Sequence, residues 1–426
     1  MSSRARLTKA ERAWIYIDVG NSAFATTVLA TLFPIFFTNL IPEGGVELIP
    51  GSGVHSLAIS IWGYAVSISA LGTLFVSLLV GSWADRYGLR RACYLVLSLM
   101  GAAATLSLCF LESWQSLIVA FMIANVGFAG GIVFSNSLLK FVTTEGKWDS
   151  LSLKAYAWGY IAGGLMLAFN LAFIMKPSWF GLADAAAGTR LSFLLVGIWW
   201  LIWSLPAYFR IVENKESASV HKFSLFGQIK SLTKTIRELP ARPVLLWFIL
   251  SYFFSNEGIQ TVIAMATPFA KETLQLDQTH IIGTFLIIQI LGFPLTLLMT
   301  KFATRWGPIR ILKAAFVFWI VIIAFAFSMT TSVHFLILGL LVAVVLGVSQ
   351  AIPRSLYARL IPAGKEAEYY SLYGLSGRSN PVLGPLIFGL IADISSDSRI
   401  AILSLGIFFV LGLVPLHFVG RHFKSN

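Results

Sequence analysis

The chain has 426 residues, 57% of them hydrophobic and only 12% charged, with a mean hydropathy of +0.81. An average soluble domain carries about 25% charged residues, so a water-soluble globule is excluded; this much apolar surface requires lipid as its solvent. The net charge of +12 would suit a nucleic-acid binder, but 26 of the 31 lysines and arginines fall in the two termini and in alternate connections between apolar runs. That is the positive-inside pattern of an even number of spans with both ends cytoplasmic, and it removes the nucleic-acid reading.

Residues 14–40 predict the first membrane helix. The apolar run is too long for the core of a cleaved signal peptide. Asp18, Asn21, Ser22 and Ala25 lie on one face of it, at i, i+3, i+4 and i+7. A loop rich in Pro and Gly covers 41–55, and the second span covers 56–81. The connection after it carries Gly81, Asp85, Arg86, Gly88, Arg90 and Arg91. Gly81 allows close helix packing, Asp85 can accept from a neighbouring helix N-terminus, and the arginines hold the cytoplasmic face.

Further spans follow at 91–111, 115–138, 153–175 and 189–209. Cys93 and Cys109 share one of them, about 24 Å apart along the helix axis, so they cannot bridge each other. Gly159, Gly163 and Gly164 read as packing contacts. Trp199, Trp200 and Trp203 read as lipid-facing or interfacial side chains.

The longest polar stretch, 210–243, is basic and separates residues 1–209 from 244–426, six spans on each side. The second set is predicted at 244–269, 279–300, 309–329, 333–352, 367–393 and 399–419. Span 244–269 repeats the polar stripe of the first helix with Glu257, Gln260, Thr261 and Ala264. Span 367–393 holds Arg378, the one basic residue deep in a span, together with Gly374, Gly377, Gly384 and Gly389. Pro294, Pro381 and Pro385 read as kinks.

The two halves repeat each other. Asn21 to Thr26 aligns with Asn256 to Thr261 at an offset of 235; Arg86, Gly88 and Arg91 align with Arg305, Gly307 and Arg310 at 219; Gly159 aligns with Gly377 at 218. The drop in offset falls where the 41–55 loop lies. The expected fold is therefore an all-α membrane protein of twelve transmembrane helices, two six-helix bundles in parallel pseudo-repeat with a solute path between them.

The run GSWADRYGLRR, from Gly81 to Arg91, resembles the signature of the major facilitator superfamily, with Leu89 replacing one usual arginine. Four segments are similar to the vacuole-effluxer branch of that superfamily, which comprises fungal autophagy-related vacuolar transporters and bacterial relatives. They are Asp18 to Thr27, Tyr160 to Leu165, Asn256 to Ala266 and Leu375 to Pro385. The eleven residues from Asn256 are the most specific. The branch usually has Asp where this chain has Glu257, and Trp where it has Val19. The resemblance implies a transporter of the major facilitator fold, with amino-acid efflux the activity associated with the fungal members.

An ionised group in a bilayer costs at least about 2.5–3.5 kcal/mol, so Asp18, Glu257 and Arg378 need a cavity or a partner. Asp18 lies about 6 Å from the inner edge, and Glu257 and Arg378 roughly 16–20 Å deep. Asp18, Asn21, Glu257, Gln260, Thr261 and Arg378 are the candidate substrate- or proton-binding set, with hydrogen bonding between helices as the structural alternative. Gly81, Asp85, Arg86, Gly88, Arg90 and Arg91 are the candidate cytoplasmic gate. The six histidines pair with no Cys, Asp or Glu at metal spacing, and no phosphate-binding loop is present. An enzyme, a metal or another cofactor is not expected. The expected partners are a small polar solute, the bilayer and protons, for a monomer that transports by alternating access. A passive facilitator, an exporter, and a receptor or lipid-handling protein on the same fold stay open as alternatives.

Overall fold

The computed structural model describes residues 7–53, 55–144, 147–213, 237–360 and 381–425. Inside a bilayer no water can satisfy a backbone amide, so the chain satisfies them within helices. The first is α1 (Lys9–Ala23), which opens on a capping box: the Thr8 hydroxyl accepts from the Glu11 amide and the Glu11 carboxylate from the Thr8 amide. It passes into a π-helical stretch, Phe24–Leu32, and then into α2 (Phe33–Thr38). The 41–55 loop contains a short antiparallel pairing of Val46–Glu47 with His55–Ser56.

Helices α3 (Ala58–Tyr87), α4 (Arg90–Ser107), α5 (Trp114–Val142), α6 (Trp148–Met175) and α7 (Ala185–Arg210) follow. Beyond residue 237 come α8 (Pro243–Glu272), α9 (Gln278–Trp306), α10 (Pro308–Ser328), α11 (Ser332–Leu360), α12 (Leu383–Ser395), α13 (Ser398–Ser404) and α14 (Gly406–Ser425). Among the described residues, eight helical segments are long and apolar enough to cross a membrane. Large apolar side chains such as Phe75, Phe169, Phe209, Ile290 and Ile407 are exposed along the helices, as a lipid-facing surface requires.

The chain groups into two compact units. One comprises Met1–Leu32 and Gly72–Leu225, the other Phe33–Leu71 and Phe226–Asn426. In the first unit, glycines bring helices together. A Cβ on Gly127 of α5 would lie 2.6 Å from the Leu97 carbonyl of α4, and one on Gly197 of α7 would lie 2.6 Å from Leu106. Phe24, Phe128 and the fully buried Trp200 fill the space between. In the second unit, α8 packs on α14. The Ser251 hydroxyl donates to the Gly412 carbonyl at 2.6 Å, and Phe408 and Phe409 close over Gly258. Trp319 stacks on Phe409 and donates to the Ser349 hydroxyl.

Candidate functional site

Glu257 lies in the middle of α8 and is 6% exposed. Its Oε1 accepts from the Val382 amide at 3.3 Å, and its Oε2 from the Leu383 and Gly384 amides at 3.1 and 3.0 Å. These amides are the donors that a helix start leaves open, and the helix dipole favours an anion there. The span expected at 367–393 is thus not helical throughout: Pro381 and Val382 precede α12, which begins at Leu383. Pro381 and Pro385 stand at the start of α12, where a missing amide costs little. Pro294, in contrast, lies within α9. Arg378, Gly374 and Gly377 lie outside the described residues.

Thr261, one turn along α8, donates to the Glu257 carbonyl at 2.6 Å and is fully buried. The α12 backbone runs so close that a Cβ on Gly384 would overlap the Thr261 hydroxyl. Gln260 is half-buried beside it. The structure therefore brings Glu257 and Thr261 together with the start of α12, inside the second unit.

Asp18 and Asn21 belong to the first unit. Asp18 is half-buried, and Tyr94 is fully buried in the same unit. The Asn21 side-chain carbonyl accepts the Trp200 indole N–H at 2.9 Å, and the Val19 carbonyl accepts that of Trp199 at 3.0 Å. Trp203 packs edge-on against Tyr16 and lies against Gly20. Of the three tryptophans expected to face lipid or an interface, Trp200 is instead fully buried, while Trp199 and Trp203 stay half-buried. An indole N–H in an apolar region needs an acceptor, and α1 supplies it to both Trp199 and Trp200. On the other side of α1, a Cβ on Gly159 would come 2.6 Å from the Ser22 hydroxyl, and one on Gly163 3.1 Å from Thr26. Both glycines are close-packing sites, as read from the sequence.

The signature segment has a backbone reason for its second glycine. Helix α3, which includes Gly81, Asp85 and Arg86, ends at Tyr87; Gly88 then turns with φ +64°, and the Leu89 amide closes back on the Ala84 carbonyl at 2.9 Å. This left-handed helix end favours glycine. Its repeat counterpart Gly307 also has a positive φ, +89°. Arg90 and Arg91 follow at the start of α4. Both backbone amides and the Arg90 guanidinium donate to Glu213, at 3.2–3.3 Å. The Arg91 guanidinium donates to the Ile211 carbonyl and lies over the Tyr208 ring, and Arg90 lies over Phe141. The side chains of Asp85 and Arg86 are outside the described set.

Glu213, beside the candidate gate, was not singled out from the sequence. Its signal was available: it is an acid just past the sixth span, in a connection read as lying on the same side as Arg90 and Arg91. Among the described residues no cluster of three or more His, Cys, Asp or Glu could hold a metal ion.

Residues 8–424 match the family model described as "Vacuole effluxer Atg22 like". The chain is 28% identical to the uncharacterized MFS-type transporter YxiO of Bacillus subtilis, over 99% of this chain and 97% of that one. It is 22% identical to autophagy-related protein 22 of Saccharomyces cerevisiae (strain ATCC 204508 / S288c), over 96% and 91%. Two solved structures share the fold, each with a TM-score of 0.69. The nucleoside transporter NupG is 15% identical over 97% of this chain and 99% of that one, and a D-xylose–proton symporter is 14% identical over 96% of each. These proteins are transporters rather than enzymes, and the exposed apolar helices described above fit an integral membrane protein. The chain belongs to the Atg22-like vacuole-effluxer family of MFS-type transporters.

Proposed function

We propose that the protein is a secondary active transporter that moves a small polar solute, an amino acid or similar metabolite, by alternating access, with protons as the driving ion. On this reading it has twelve spans in two bundles and works as a monomer in a bacterial inner membrane with both termini cytoplasmic, as the charge distribution supports. The observation that carries the proposal is the buried carboxylate of Glu257 on the amides of Val382, Leu383 and Gly384. Protonation removes the negative charge that these donors hold, so a proton arriving at Glu257 frees the start of α12. Proton uptake is thereby tied to a movable helix.

Asp18, Asn21, Gln260 and Thr261 are the polar groups of the solute path, and Arg378 binds the solute carboxylate through its planar fork. Gly81, Asp85, Arg86, Gly88, Arg90 and Arg91 form the cytoplasmic gate, with Glu213 fixing the last two arginines. The test uses Glu257→Gln in proteoliposomes with a panel of radiolabelled amino acids. Uptake driven by a pH gradient is expected to be lost, while exchange of labelled for unlabelled solute persists. Unimpaired gradient-driven uptake in the variant removes Glu257 from the mechanism, and loss of both activities assigns it a structural role.

A further inference from the structure

Helix α3 begins without a cap of its own. Leu57 precedes it and accepts its first helical bonds, from Ser60 and Ile61, but a leucine side chain offers no oxygen to the open amides. Four helices are capped locally, α1 by Thr8, α5 by Ser113, α7 by Asp184 and α13 by Asp397, whereas α4 and α12, like α3, take carboxylates from distant residues, Glu213 and Glu257. At α3 the oxygens come from two carboxylates far away in sequence. Asp393, near the end of α12, accepts from the Leu57 amide at 3.1 Å, the Ser56 hydroxyl at 3.0 Å and the Tyr64 hydroxyl at 2.6 Å. Glu272, the last residue of α8, accepts from the Ile59 amide at 3.0 Å.

Below these bonds the same helices touch backbone to backbone. A Cβ on Gly63 would lie 2.6 Å from the Pro385 carbonyl, and one on Gly389 would lie 2.8 Å from the Tyr64 ring and 3.1 Å from the Ser60 carbonyl. Ser60, Gly63, Tyr64 and Ser67 recur at helical spacing on that face, and Ser67 is 3% exposed. All of these residues lie in the second compact unit, although Phe33–Leu71 comes from the first half of the sequence.

We propose that Asp393 and Glu272 are the outer latch of the transporter, holding the N-terminal end of α3 so that the solute path stays closed on the non-cytoplasmic side. The inference rests on the alternating-access reading above. A local cap would have stabilised α3 in every state. A cap supplied by α8 and α12 stabilises it only while the joint is closed, and opening must give up all four bonds at once. All four are hydrogen bonds to carboxylate oxygens, a strong class of acceptor.

The test follows accessibility rather than transport. In a protein with Cys93→Ser and Cys109→Ser, Ser67→Cys places a near-isosteric thiol beneath the latch. A membrane-impermeant maleimide is applied from outside to cells expressing it. Asp393→Asn combined with Glu272→Gln is expected to raise the labelling rate about tenfold or more, since each lost bond to a carboxylate is worth about that factor. Tyr64→Phe, which removes one bond and no charge, is expected to raise it less. Should the double variant fail to run as a monodisperse protein, the single variants Asp393→Asn and Tyr64→Phe carry the same expectation. Labelling unchanged in folded variants, or reached only from the cytoplasmic side, overturns the latch. Because no solute is needed, the outcomes separate. Increased labelling with normal gradient-driven uptake in Glu257→Gln leaves the latch standing and the proton reading refuted; unchanged labelling with uptake lost in Glu257→Gln does the reverse.

Discussion

Asn21 to Thr26, which join the end of α1 to the π-helical stretch, and Asn256 to Thr261 of α8 are counterparts in the internal repeat, and they meet their neighbours in related ways. In α1 the Ser22 hydroxyl backs onto Gly159 of α6; in α8 the Thr261 hydroxyl backs onto Gly384 of α12. The neighbouring helices differ. Helix α6 runs unbroken from Trp148 to Met175, so its amides near Gly159 are bonded within the helix. Helix α12 starts at Leu383, beside α8, and presents open amides to it. The position aligned with Ser22 is accordingly Glu257. An interrupted backbone in an apolar region has to be met by an acceptor, and a carboxylate is the strongest one available. The acid deep in the seventh span is thus explained by where a distant helix begins.

Substitutions can break or sharpen this contrast. The largest expected effect is Glu257→Ala, which leaves three amides facing an empty site and should cost about 3 kcal/mol. Ser22→Ala at the aligned position should stay within about 0.5 kcal/mol. Thermal unfolding of the two variants in detergent, followed by tryptophan fluorescence, measures the difference; equal shifts would show that the helix start is not what distinguishes the two regions.

Next comes Gly384→Ala, expected to cost about 2 kcal/mol through overpacking. Thr261→Ala should restore only part of that loss, because the Thr261 Cβ and the Glu257 carbonyl remain 2.9 and 3.1 Å from the new methyl group. The double-mutant cycle gives the recovered fraction, and complete recovery would mean that the backbone approach is not limiting.

The smallest effect is Gly159→Ala, at about 1 kcal/mol. Ser22→Ala should relieve it almost fully, since the next neighbours stand 3.5 Å or more away. The same unfolding assay on the pair checks it, and a persistent loss would place the strain in the α1 backbone instead.

Much of this arrangement was legible in the sequence. Apolar runs announce helices because lipid demands them, and the matched Gly88 and Gly307 both have a positive φ. The polar stripes of α1 and α8 were visible as spacing. Their partners were not: Glu257 bonds amides 125–127 residues away, Glu213 bonds Arg90 123 residues away, and Asp393 bonds Leu57 336 residues away. Helical periodicity reports which side chains share a face, and it is silent on what that face meets. Trp200 shows the same limit. Its place in a tryptophan-rich span suggested an interface with lipid, and only the packing of α7 on α1 shows that its indole N–H is bonded to Asn21. The start of α12 escaped notice because Pro381 and Pro385 fit a kink and a helix start equally well.

The π-helical stretch from Phe24 to Leu32 bears on how this chain can change length. A π-helix closes its hydrogen bonds one residue later than an α-helix, so it packs more residues into each turn. Here the Thr31 hydroxyl, 2.7 and 3.0 Å from the carbonyls of Thr26 and Thr27, helps to satisfy the widened turns. Such a segment is slack wound into a rigid rod. A residue lost from it can be absorbed by tightening one turn, with the faces of α1 and α2 left where they are. The same loss from α4, wound as an ordinary helix throughout, would turn everything beyond it by about 100°.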